Sequence, residues 1–251
     1  LGRPGRVPFV VLTVTDNSRG GQPASLANIR EASRLCRERG AALLLDGARL
    51  AENAFLLTER EPDCADLPPL EVAQRMFALA DGVFMSLKKD ALGNTGGIVT
   101  LDRDDWAAAV QEQALSSEGI PGAGGLAGRD LELLAASFEE MLDPDLLAWR
   151  VATTRRMFRQ LEEAGVPLMH PHGAHAVSVD GRAFCPHLDD EQLPAWSLSA
   201  AFYVASGVRT WETGNVMRGR LDRSSGRWSW PDLDLLRLAI PRRVYSRSHL
   251  D

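Results

Sequence analysis

Apolar positions in this chain keep two rhythms. "FVVLTVT" (residues 9–15) and "AALLLD" (41–46) are unbroken apolar runs, the pattern of strands buried on both faces. Between them Leu26, Ile29, Ala32, Leu35 and Cys36 recur at helical spacing, and Gly40 stops the repeat as a helix-ending glycine does. Strand, helix and strand in that order predict a βαβ unit with parallel strands and a right-handed crossover. The spacing predicts a second helix near 69–80, strands at 82–87 and 96–102, and a helix over 104–115. A glycine-rich connection, "GIPGAGGLAGRD" (119–130), leads to a helical stretch over 131–165 that is interrupted near Asp143-Pro144. Strands and helices then alternate at 175–180, 193–207, 207–213 and 235–241. The chain reads as α/β, with a doubly wound partial sheet over 1–142 and a smaller α/β domain over 143–251.

Composition narrows the classes. With 45% hydrophobic and 25% charged residues the 251-residue chain is ordinary globular material. A net charge of −6 and no basic stripe argue against nucleic acid or an anionic membrane as partner. No apolar run approaches the length of a membrane span. Cys36, Cys64 and Cys185 are odd in number and widely spaced, and so read as reduced thiols of a cytoplasmic protein. "MHPHGAH" holds His170, His172 and His175 but has no second ligand cluster, and "GIPGAGG" lacks the end of a phosphate loop.

Candidate chemistry collects at the strand ends. Ligands on open α/β sheets sit beyond the carboxyl ends of the parallel strands. The first predicted strand runs into Asn17, the second into Asp46 and Arg49, and the third into Ser86, Lys88 and Lys89. Singly these have plain readings: a turn former, a helix cap, solvated lysines. Together they fit pyridoxal phosphate, which needs an amine for its aldehyde and an acid beside its pyridine nitrogen. Two adjacent ammonium groups repel, and with partial burial that lowers the pKa of Lys89 toward the neutral, nucleophilic form.

The same stretches, "TVTDNSRGGQPASLANIR", "LLLDGARLAENAF", "FMSLKKDALGNTGG", "EGIPGAGGLAGRD", "GAHAV" and "RLAIPRRVYSRSHLD", resemble the tryptophanase and tyrosine phenol-lyase family of β-eliminating lyases, in order and over nearly the whole chain. The resemblance implies the aspartate-aminotransferase type of fold (fold type I), a small-molecule amino-acid substrate, and a homo-oligomer that is a dimer of dimers. It implies that Lys89 carries the cofactor and later takes the α-proton, with Lys88 beside it. Asp46 would pair with the ring nitrogen, Asn17 and Arg49 would lie near the ring oxygen, and Ser86 near the phosphate. Arg237 would bind the substrate carboxylate, His175 would lie on the substrate side, and Asn94 would lie near a K⁺ site. It also implies a fragment, lacking the family's N-terminal part and C-terminal end. Two positions depart from the family: Thr213 stands where phenol-lyases have arginine and tryptophanases an aliphatic residue, and Ala123 where relatives carry tyrosine. The expected reaction is β-elimination of tryptophan to indole, pyruvate and ammonia. The alternatives are tyrosine, an S-substituted cysteine, or an inactive relative acting as a structural module.

Overall fold

The computed structural model describes residues 7–120 and 123–249. The chain forms two compact units. One holds the residues up to Thr15 together with Pro23–Ala148, and the other holds Asp16–Gln22 together with the chain from Trp149 onward.

The first unit is built on a four-stranded sheet. β1 (Phe9–Thr13) is followed by α1 (Leu26–Glu38) and β2 (Ala42–Asp46). α2 (Leu50–Arg60) and α3 (Pro69–Phe77) then lead to β3 (Gly82–Ser86), and a turn leads to β4 (Gly97–Leu101). β1, β2 and β3 are parallel neighbours, as the βαβ reading expects, and β4 closes the edge antiparallel to β3. Ser25 starts α1 by accepting the Asn28 N–H at 3.0 Å. Val14, Leu43, Leu45 and Val83 pack on one sheet face against Ile29, Leu50, Leu57, Val72 and Met76 of the three helices. Each fully buried large apolar side chain here contributes about 1.5–3 kcal/mol.

Two expectations are corrected. β1 is not covered on both faces: Phe9 and Val11 are 46% and 43% exposed. The three crossover helices all lie on the Val14 face, and at Phe9 the opposite face receives an edge-to-face contact from Trp106 of α4 (Asp104–Ser117). The strand order is also sequential, β1-β2-β3-β4, without the reversal of a doubly wound sheet. A further helix, α2, went unread. Its first turns bury Glu52 and Asn53, which breaks the apolar period on which helix recognition depends.

Asn53 fixes the exit from β1. Its side-chain oxygen accepts the N–H groups of Thr15 and Ala24 at 2.9 and 2.8 Å, and its amide donates to Ala24 O at 3.0 Å. Thr15 is held at φ 55°, a left-handed conformation that a β-branched residue adopts only under constraint.

β5 (Gly119–Ile120) and β6 (Ala123–Gly124) pair as a minimal hairpin inside the glycine-rich connection, of which Pro121 and Gly122 lie outside the described residues. α5 (Gly128–Glu140) follows and packs Leu134 against Met85, Leu87 and Ala91, under the turn that follows β3.

The second unit takes over within α6 (Pro144–Glu163). It continues through β7 (Ala176–Asp180), α7 (Gly181–Phe184), α8 (Pro194–Ser206), β8 (Trp211–Glu212) and α9 (Asn215–Arg218). A hairpin of β9 (Arg220–Asp222) and β10 (Arg227–Ser229) precedes β11 (Leu235–Ala239). Its main sheet has the antiparallel order β7-β11-β8. Val177, Val179, Leu236 and Leu238 face Phe158 of α6 and Ala195 of α8. The strand expected over 207–213 reduces to two residues, because only Trp211 and Glu212 pair with β11. No helix of the described residues is long and apolar enough to cross a membrane.

Candidate functional site

The carboxyl ends of β2 and β3 carry the first group of side chains. Asp46 is the last residue of β2 and pairs in register with Phe84, two residues before Ser86 at the end of β3. Side chains alternate along a strand, so Asp46 and Ser86 share the face away from the Val14–Leu43–Leu45 core. Ala48 N–H donates to the Asp46 carboxylate at 3.2 Å, within the turn that opens α2. Gly47 is required in that turn, because a Cβ there would lie 2.9 Å from Val83. Arg49 caps α2, and its carbonyl accepts the Thr15 hydroxyl at 3.0 Å.

Ser86 Oγ is buried and has no hydrogen-bond partner among the described residues. Its cross-strand neighbour is Gly97, which adds no side chain beside it. A buried hydroxyl left unsatisfied in this way costs about 1–3 kcal/mol unless a ligand oxygen completes it. Beyond Ser86 and Leu87, Lys88 is exposed, Lys89 half-buried and Asp90 buried. Asn94 lies exposed in the same turn. K⁺ takes several carbonyl-type oxygens, and the Asn94 side chain carries one such oxygen.

Sequence reasoning overlooked a plain signal here. Among 28 basic residues the chain has only two lysines, Lys88 and Lys89. Arginine fills every other cationic position, yet arginine is never deprotonated in a protein, whereas a lysine amine is nucleophilic once neutral. Amines are therefore retained only where the sheet ends. With a carboxylate and an unsatisfied hydroxyl on the adjoining face, this set has the donors and acceptors that pyridoxal phosphate requires.

The second unit holds the remaining expected residues. Asn17 belongs to the short Asp16–Gln22 stretch of this unit, closed by the 2.9 Å bond from Asp16 N–H to Gln22 O. Asn17 Oδ1 lies 3.1 Å from Nε2 of His175, which is buried at the start of β7. Gly21 permits this approach, since a Cβ there would fall 2.8 Å from the His175 ring. Periodicity carries no sign of this pair, 158 residues apart. Arg237 lies half-buried on the central strand β11, in register with Ser178 and Trp211, on the face opposite the Leu236–Leu238 core. Asp234, three residues before Arg237, accepts the N–H groups of Ala195 and Asn215 at 2.8 and 2.9 Å.

Thr213 is buried, with its N–H bonded to Leu235 O at 2.8 Å and its hydroxyl unpartnered among the described residues. Burial pushes the neighbouring Glu212 carboxyl up, while the Val216 and Met217 N–H groups on its oxygens oppose that shift.

His172 receives the Arg155 guanidinium at 3.1 Å and His170 lies 3.4 Å from Glu162, so these histidines have separate partners. Among the described residues no cluster of histidine, cysteine, aspartate or glutamate could hold a metal. The three cysteines are free and buried, and burial raises each thiol pKa, which disfavours the nucleophilic thiolate.

Comparison with known proteins places this arrangement. The family profile described as Beta-eliminating lyase matches residues 4–251. A tryptophanase from Salinibacter ruber is 49% identical over 246 residues, which is 98% of this chain and 52% of that protein. A tyrosine phenol-lyase from Symbiobacterium sp. is 43% identical, over 98% of this chain and 54% of its own. The chain thus spans about half the length of the curated relatives it matches. A serine palmitoyltransferase variant from S. paucimobilis, solved with bound PLP–myriocin, superposes with a TM-score of 0.57 at 16% identity, covering 96% of this chain and 52% of that one. That likeness shows the fold, which is the fold type I of PLP-dependent enzymes.

Proposed function

The chain belongs to the β-eliminating lyase family, and on that premise we propose that it performs PLP-dependent β-elimination on an aromatic amino acid, with tryptophan as the first reading. The observation that carries this is the confinement of both lysines to the end of β3, beside the face that bears Asp46 and Ser86. When bound, pyridoxal phosphate supplies an aldehyde for an amine and a ring that accepts the electrons released at the substrate α-carbon.

The chain's own groups have these roles. Lys89 Nζ would hold the cofactor through its aldehyde and would take the substrate α-proton. Lys88 adds a like charge that favours the neutral amine of Lys89. The Asp46 carboxylate would pair with the ring nitrogen, the Ser86 hydroxyl would donate to the phosphate, and Asn17 and Arg49 would lie near the ring oxygen. The Arg237 fork takes the substrate carboxylate, because planar bidentate geometry suits that group. His175 orients Asn17 and serves the substrate side. A K⁺ ion near Asn94, assembly into a dimer of dimers and a cytoplasmic location complete the proposal.

Tyrosine is the second reading. The unpartnered hydroxyl of buried Thr213 suits a leaving group with a polar hydrogen, whether indole N–H or phenol O–H, better than a thiol. Parallel assays of indole, phenol and thiol release from L-tryptophan, L-tyrosine and S-methyl-L-cysteine decide among them. The expected result is faster indole release, with pyruvate in equal amount. Pyruvate from none of the three, by protein loaded with PLP, would support the inactive structural module instead.

A further inference from the structure

The lysine-bearing turn is tied down by a residue to which the elimination chemistry gives no role. Asp90 directly follows Lys89, is 4% exposed, and accepts the backbone N–H of Glu52 at 3.0 Å. Glu52 stands in the first turn of α2, where backbone N–H groups have no partner inside the helix and where negative charge is favoured. That same turn follows Asp46 and contains Arg49. The carboxylate therefore joins the segment carrying the amine to the segment carrying the acid.

The rest of the turn is closed around this contact. Gly93 N–H bonds Leu87 O at 2.8 Å, Leu92 N–H bonds Lys89 O at 3.0 Å, and Leu87 N–H bonds Gly96 O at 3.1 Å. Ala91 and Leu87 are buried against Leu134 of α5, and a Cβ at Gly93 would lie 2.5 Å from that leucine. Apolar packing holds the turn from α5, but it is non-directional and fixes no register against α2. Two directional contacts join this turn to the segment that opens α2: the Asp90 carboxylate accepts the Glu52 N–H at 3.0 Å, and the Asp90 N–H reaches Ala48 O at a longer 3.5 Å.

We infer that Asp90 is a positioning residue for Lys89: its carboxylate pins the lysine turn to the first turn of α2, so that the Lys89 amine and the Asp46 carboxylate keep a fixed separation. The inference rests on the reading that Lys89 carries PLP. The contact is a hydrogen bond to a backbone N–H, so asparagine, which keeps an acceptor oxygen, should replace aspartate, and alanine should not.

Two measurements on the full chain separate these roles. Hydrogen exchange at the Glu52 amide reads the pin without cofactor. Asp90→Ala is expected to exchange about 10-fold faster there and Asp90→Asn close to the wild-type rate. The decay of the visible band of PLP-loaded protein on dilution reads the consequence. Asp90→Ala is expected to lose cofactor about 10-fold faster, with Asp90→Asn within about threefold of wild type. If Asp90→Ala does not melt cooperatively, Asp90→Leu, which fills the volume without an acceptor, takes its place.

An alanine or leucine variant that folds and matches wild type in both measurements overturns the inference, as does an asparagine variant as impaired as alanine. Failure of both apolar variants to fold also overturns it, since the contact would then serve the fold itself. A wild-type visible band that survives Lys89→Ala removes the underlying reading instead, and the exchange measurement still reports on the pin.

Discussion

Replacing Lys89 by arginine is expected to lower turnover by at least about 10²–10⁴-fold, the contribution of a positioned proton transfer. The further loss of the covalent tether should bring activity near the background. Arginine is the telling substitution because it preserves the positive charge and most of the stem. What it removes is an amine that can be neutral, since guanidinium stays protonated at any working pH. Lys88→Arg is the matched control. Lys88 is exposed and its proposed role is charge alone, so that variant should keep turnover within about tenfold. Steady-state pyruvate formation from L-tryptophan, measured for both variants, checks the pair. Comparable losses in the two would mean that neither lysine has the assigned role.

Arg237→Ala should reduce kcat/KM by about 10–10²-fold, the worth of a charge-assisted, bidentate contact to a carboxylate at about 1.5–3 kcal/mol. Most of the loss is expected in KM, because the carboxylate is bound alike in the ground and transition states. Arg237→Lys should fall between, since an ammonium supplies charge without the fork. Position supports this assignment. Arg237 is on the central strand of the second unit's sheet, on the face that the Leu236–Leu238 core leaves free, so its backbone is held from both sides by β7 and β8. Measured binding of L-alanine and of alaninamide to wild type and variant separates carboxylate recognition from general damage. An Arg237→Ala protein that still prefers the acid to the amide would assign the carboxylate to another group.

How much of this the amino-acid order disclosed depends on the length of the signal. β1, β2 and β3 were legible because each is a continuous apolar run, and the residues at their carboxyl ends follow from strand direction alone. Asp46, Ser86 and Lys89 could therefore be singled out before any coordinates. α2 was hidden because Glu52 and Asn53 sit buried in its apolar stripe, with Asn53 held by specific hydrogen bonds instead of by hydrophobicity. Nor could periodicity assign Asp16–Gln22 to the second unit or bring Asn17 to His175, since that rests on glycine geometry and long-range hydrogen bonds. β8 was overdrawn because an apolar stretch does not say how many of its residues find a partner strand. The scarcity of lysine was present in the composition throughout and needed only to be counted.

The account depends above all on which amine meets the aldehyde. Borohydride reduction of the PLP-loaded protein, followed by peptide mapping, reads this directly, and the chain offers only two lysine side chains to compare. The account predicts the reduced phosphopyridoxyl group on Lys89 and none on Lys88. Label on Lys88, or on neither lysine, would contradict it.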